Sequence, residues 1–206
     1  MDSLIIKDLH FGYERSSQVF NGWNCEIIGA PFIQIKGNSG SGKTTLFKII
    51  SGFLPAKFDK IIVANSKLNA NDSPFKRNIA MVFQRSALWQ HLSVGKNIQL
   101  SRNTNIISEN MLNKWSDAFG LKNFINKKSA ELSAGEQQRV EILRALASGK
   151  KNLILDEPFA FQDNENTEKL IQAINEYREI TDGVVIFSTH SVSASKYFSE
   201  QKDVYI

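Results

Sequence analysis

Gly37-Asn38-Ser39-Gly40-Ser41-Gly42-Lys43-Thr44 places a glycine, four free positions and then Gly-Lys-Thr in one short run. An apolar stretch, residues 32–35, leads into it. Residues 44–51 follow, with Leu46, Phe47, Ile49 and Ile50 at helical spacing before Gly52 stops the pattern. A strand, a glycine-rich loop and a helix in that order form a cradle for phosphate. The glycines permit positive φ, so successive N–H groups turn inward. The helix start adds partial positive charge at the same point. Lys43 supplies a full charge for β- and γ-phosphates, and the Thr44 hydroxyl is a ligand for Mg²⁺.

A second element answers the first. Asn152-Leu153-Ile154-Leu155-Asp156-Glu157-Pro158 reads as an apolar strand that ends in two carboxylates. Asp156, at the carboxyl end of a buried parallel strand, is expected to hold Mg²⁺ through water. Side chains alternate along a strand, so Glu157 is expected on the other side, facing an attacking water as general base.

Working outward, residues 3–9 and the apolar positions of 27–35 around Gly29-Ala30-Pro31 read as strands. Residues 61–63 and 79–83 read as further strands. Residues 86–128 are polar and are expected to form mostly short helices, with a helical subdomain spanning about 86–145 of a single 1–206 unit. Residues 136–147 read as a helix with Val140, Leu143 and Ala147 on one face. Residues 164–180 are amphipathic, and 152–155 and 184–187 have the short apolar form of buried parallel strands. This alternation predicts an α/β fold: a mostly parallel sheet flanked by helices, preceded by an N-terminal antiparallel part.

Composition narrows the function classes. The chain has 206 residues, 42% of them apolar, and a net charge of +4, a mild excess that does not by itself argue for nucleic acid; no nucleic acid partner is expected. A single cysteine, Cys25, excludes an intramolecular disulfide or a multi-cysteine zinc site, and His10, His91 and His190 are scattered. No apolar run is long enough to span a membrane, and the start is too short and acidic for a signal peptide. A cytoplasmic chain without a C-terminal regulatory domain is expected, acting on a membrane only through another protein.

Leu132-Ser133-Ala134-Gly135-Glu136-Gln137-Gln138-Arg139 resembles the LSGGQ signature, with its following QR, of ATP-binding cassette (ABC) ATPases. The resemblance covers essentially the whole chain. No NKxD motif points to a GTPase, and the signature speaks against a generic phosphate-loop kinase. The remaining family elements fall in order: Tyr13 for the adenine-stacking aromatic, Gln84 for the Q-loop glutamine that touches Mg²⁺ and the attacking water, Asp163 for the D-loop aspartate, and His190 for the switch histidine.

The resemblance thus implies Glu157, His190, Gln84 and Lys43 as the catalytic set, and Thr44, Gln84 and Asp156 around Mg²⁺. ATP is expected on Tyr13, Gly37, Asn38, Ser39, Gly40, Ser41, Gly42, Lys43, Thr44 and Thr45. Ser133 and Gly135 are expected to close over the ATP of a second ABC chain, in a homodimer or heterodimer that opens on hydrolysis. Departures are Ala134 and Glu136 in the signature, and Ala160-Phe161-Gln162-Asp163 where the family has small-Ala-Leu-Asp.

Transmembrane permease subunits are the implied partner. They would dock on the stretch bounded by Arg85 and Asn97, where Trp89 and Leu92 are either a contact surface or subdomain core. The other function class is a soluble ABC ATPase working on nucleic acid or ribosomes; a single cassette without a basic tail disfavours it. Some features resemble a haem-exporter ATPase and others amino-acid importer and lipoprotein-releasing ATPases, so direction and cargo stay open.

Overall fold

The computed structural model describes residues 3–14, 18–190, 198 and 200–206; Met1 and Asp2 of the N-terminal stretch lie outside it. In chain order the elements are β1 (Ser3–Gly12), β2 (Gln18–Ile28), β3 (Phe32–Lys36), α1 (Lys43–Ser51), β4 (Lys60–Val63), β5 (Ser66–Leu68), β6 (Ile79–Val82), α2 (Val94–Gln99), α3 (Glu109–Ala118), α4 (Ala134–Ala147), β7 (Asn152–Asp156), α5 (Asn164–Thr181), β8 (Val185–Ser188) and β9 (Gln201–Tyr205). Strands β2-β1-β4-β5 form an antiparallel sheet, and β6-β7-β8-β3-β9 form a parallel one.

The inner strands β7, β8 and β3 of the parallel sheet are buried on both faces, as their largely apolar sequences require. Leu153 and Leu155 of β7 point into a core shared with Val140, Leu143 and Leu146 of α4 and Leu170 and Ile174 of α5. Ile154, between them, points into a second core with Leu46, Phe47 and Ile50 of α1 and Leu4, Ile6 and Ile61 of the antiparallel sheet. Alternation along one strand thus sends side chains to two separate cores. Each fully buried Leu or Ile contributes about 1.5–3 kcal/mol relative to exposure.

Several boundaries differ from the sequence reading. Residues 27–35 are two strands: β2 ends at Ile28, Gly29 takes φ 71°, and β3 begins at Phe32. Helix α1 begins at Lys43 and α4 at Ala134, earlier than their apolar periodicity indicates: the left-handed turn at Gly42 starts α1, and the Ser133 cap starts α4. Between residues 86 and 128 only α2 and α3 are α-helices; turns and a 3₁₀ segment at Lys122–Phe124 fill the rest. The edge strand β9 is polar except at Val204, so no hydrophobic pattern announces it.

Candidate functional site

Three strand ends build the site. β3 runs into the glycine loop, while Asp156 at the end of β7 lies in register with Ser188 at the end of β8. Gly42 takes φ 106°, and a Cβ there would lie 2.8 Å from Val19 Cγ1, so only glycine fits this turn. No side chain caps α1, and no acidic residue stands in its first turn. Its orphan N–H groups and positive dipole end are therefore available to an anion. Lys43 donates through Nζ to the carbonyls of Gly37 (2.8 Å) and Asn38 (3.1 Å). Ser41 Oγ is buried without a hydrogen-bond partner. A loop with glycine-limited turns, an uncapped helix start and a tethered ammonium fits a polyphosphate.

Asp156 accepts from Thr44 Oγ1 at 2.5 Å and from Ser188 Oγ at 2.9 Å. Ser188 in turn accepts from the Glu157 N–H at 3.1 Å. Ser188 is wholly buried and so fixes both acids; sequence reading passed it over, and its register with Asp156 is the only signal that could have marked it.

Glu157 departs from expectation. Strand alternation would place it opposite Asp156, but β7 ends at Asp156 and Glu157 takes φ 52°. This left-handed turn brings both carboxylates to the same pocket. Glu157 Oε2 accepts from the His190 N–H at 3.2 Å. The His190 ring nitrogen Nε2 stands 3.4 Å from Oε1, which is buried and makes no hydrogen bond.

The resulting cleft has a volume of about 430 Å³ and is lined by Tyr13, Val19, Ser39, Gly40, Gly42, Lys43, Thr44, Thr45, Gln84, Asp156, Glu157 and His190. Tyr13 OH is 2.9 Å from Thr45 Oγ1, and its ring meets Phe11 edge-on at 5.0 Å. A shallower basin of about 860 Å³, between Tyr13, His10 and Pro55, adjoins it at the tyrosine. Gly37, Asn38 and Ser41 belong to the loop but do not line the cleft. Ser133 and Gly135 lie apart from it. There, Ser133 caps α4 by accepting from the Glu136 N–H, while its own N–H and hydroxyl both donate to Glu136 Oε2 at 2.7 Å. These bonds hold the Glu136 carboxyl below its usual range.

Past Gln84, Leu88 and Val94 are core, whereas Trp89 is 45% exposed with the Arg144 guanidinium 5.3 Å from its ring centre. Two buried polar residues that sequence reading did not single out fix this stretch. Asn97 accepts from the Trp89 N–H and donates to the carbonyls of Trp89 and Ser93. Glu141 accepts from the Ala87 N–H and stands 3.9 Å from Arg144; burial pushes its carboxyl above the usual range. A third, Arg77, donates to the Ile50 carbonyl at 2.7 Å and so closes the far end of α1.

The fold and cleft define a phosphate-loop nucleotide-binding protein. The pattern of the ABC transporter family matches residues 20–160, and the chain belongs to that family. It is 33% identical to the thiamine import ATP-binding protein ThiQ of Histophilus somni, over 78% of this chain and 77% of that one. It is 30% identical to the ergothioneine transport ATP-binding protein EgtV of Helicobacter pylori, over 90% of this chain and 88% of that one. The spermidine/putrescine import ATP-binding protein PotA of Fusobacterium nucleatum is 31% identical over 89% of this chain, which spans only 50% of that protein. Among solved structures, a dimeric ATP-binding cassette in a post-hydrolysis state with ADP and Pi superposes with TM-score 0.82 at 25% identity, covering 98% of this chain and 94% of that one. Among the described residues, no helix is long and apolar enough to cross a membrane.

Proposed function

We propose that this chain binds and hydrolyses ATP to power a membrane transporter, working as a pair of cassettes on the cytoplasmic face. The observation that carries the reading is the convergence of Lys43, Thr44, Gln84, Asp156, Glu157 and His190 on one cleft. Lys43, held by loop carbonyls, is placed to turn its charge toward the β- and γ-phosphates. The loop backbone from Ser39 to Thr45 holds the phosphate chain, and Tyr13 supplies the face for adenine. Glu157, turned toward the cleft and braced by His190 and Ser188, orients and deprotonates the attacking water. His190 and Gln84 complete the cage around that water.

Among the described residues no cluster of three or more His, Cys, Asp or Glu forms a metal cage. The Thr44 hydroxyl and the Asp156 carboxylate, with Gln84 nearby, instead fit Mg²⁺, which binds through one or two protein oxygens together with water and phosphate. Bound there, Mg²⁺ neutralises charge developing on the phosphate oxygens.

Ser133 and Gly135 are absent from their own chain's cleft, which supports a role over the ATP of a second cassette chain. The half-exposed Trp89, held at its backbone by Asn97 and lying beside the Arg144 guanidinium, supports the stretch from Arg85 to Asn97 as the seat of the membrane subunit. The related chains carry different cargoes in their names, so we assign cargo choice to that subunit.

The test is Glu157→Gln, assayed for ATP binding, turnover and mass with ATP. General-base loss is expected to lower turnover by roughly 10²–10⁴-fold with ATP binding kept and a dimer trapped. Undiminished hydrolysis would remove Glu157 from the role.

A further inference from the structure

The loop that follows Glu157 is tied to the start of α4 by one side chain. Gln162 Nε2 donates to the Gly135 carbonyl at 3.0 Å, and Gln162 Oε1 accepts from Arg139 Nη1 at 3.0 Å. Arg139 is itself anchored, donating through Nε to the Phe119 carbonyl at 3.0 Å. The backbones are also close: a Cβ on Gly135 would stand 2.8 Å from the Phe161 carbonyl oxygen. Any side chain at 135 would push the two apart, and an apolar side chain at 162 would leave both polar groups unmatched.

At its other end the loop is stiff. The Ala160 N–H donates to the Glu157 carbonyl at 3.3 Å, and the Gln162 N–H to the Phe159 carbonyl at 3.2 Å. Asp163 then caps α5 by accepting from the Asn166 N–H at 2.7 Å. Gln162 is therefore held at a fixed offset from Glu157, the acid that touches His190 in the cleft. A displacement of Glu157 has a short, hydrogen-bonded route to Gly135 and the cap at Ser133.

We propose that Gln162 is a positioning residue that couples the nucleotide cleft of a chain to the N-terminus of its own α4. Nucleotide on the glycine loop resets Glu157, the 157–163 loop moves as a unit, and the Gly135 bond carries the movement to Ser133. The proposal rests on the reading of the cleft as an ATP site.

The test is amide hydrogen exchange over residues 133–140, with and without Mg-ATP, at a protein concentration where sedimentation shows a monomer. ATP is expected to change exchange there several-fold in the unaltered chain. Gln162→Leu, which loses both bonds, is expected to lose that response with ATP affinity kept and the chain still folded at the assay temperature. Gln162→Glu keeps an acceptor for Arg139 but cannot donate to the Gly135 carbonyl; it is expected to behave like the leucine variant and serves if that variant does not fold. A full response in either folded variant overturns the latch. An unaltered chain that binds ATP without any response at 133–140 overturns it too, with the ATP reading intact. An unaltered chain that does not bind ATP overturns the ATP reading and the latch with it.

Discussion

Two helix starts in this chain meet the same electrostatic problem and resolve it oppositely. Helix α1 begins at Lys43 behind Gly42, with no capping side chain and no acid in its first turn. Helix α4 begins behind Ser133 in a closed capping box whose acid, Glu136, accepts from both the Ser133 N–H and its hydroxyl. Both ends carry orphan N–H groups and a positive dipole end. At α1 these are left for a ligand, and a lysine is added. At α4 they are quenched by the chain's own carboxylate. An open start depends on a ligand for satisfaction, whereas a closed one stabilises itself and admits an anion only against a negative charge.

Breaking the open start has the largest expected effect. Lys43→Ala removes the single full charge in the phosphate loop. Charge-assisted hydrogen bonds contribute about 1.5–3 kcal/mol, so ATP affinity is expected to fall by roughly one to two orders of magnitude, read by titration with a fluorescent ATP analogue. Unchanged affinity would mean that the backbone amides alone hold the phosphates.

Breaking the closed start is expected to cost stability instead. Ser133→Ala deletes the cap and is expected to lower unfolding free energy by about 1 kcal/mol in denaturant titrations. A variant as stable as the parent would show that tertiary packing alone holds α4 in place.

The gentlest change is Glu136→Gln, which sharpens the comparison by making α4 more like α1. A carboxylate at a helix start contributes about 0.3–1 kcal/mol, so stability should drop slightly. The Glu136 carboxyl is held below its usual range by its Ser133 bonds. Its stabilising share is therefore present above the unfolded value and lost as pH falls through the lower, folded value. Stability profiles of parent and variant should converge in acid. In a Glu157→Gln background, Glu136→Gln is expected to tighten ATP-dependent association, with the gain shrinking as salt rises. Equal association at low salt would show that Glu136 offers no resistance to the second chain's phosphates.

Much of the cleft was legible because its chemistry is local. The glycine loop, Lys43 and Thr44 are contiguous, and their strand and helix flank them directly. Asp156 was legible because an apolar strand that ends in acids, taken together with the phosphate loop, marks a metal-holding carboxylate; alone it would read as well as a strand breaking into a polar turn before Pro158. Glu157 was misread because alternation holds only while the chain remains extended, and one positive φ turned its side chain back. Ser188, Asn97 and Glu141 were not singled out because their importance lies in buried hydrogen bonds to residues far along the chain or on other elements. A lone Ser, Asn or Glu carries no mark of the partner it will find.

Trp89 shows the same divide at the surface. Its neighbours Leu88 and Val94 entered the core, while its ring stayed half-exposed beside Arg144. Hydrophobicity alone does not separate these residues; the backbone direction imposed by Asn97 does.

Sequence by itself determined the phosphate loop with its flanking strand and helix, the acidic strand end and the signature, because each is written in adjacent residues whose steric and electrostatic demands are met nearby. The Ser133-x-x-Glu136 box that closes the start of α4 is equally local. Tertiary structure alone decided that Glu157 reaches the cleft through a left-handed turn, and that Gln162 joins the acid loop to Gly135. The last two depend on one backbone angle and one close approach between distant segments, which no single stretch of the chain sets.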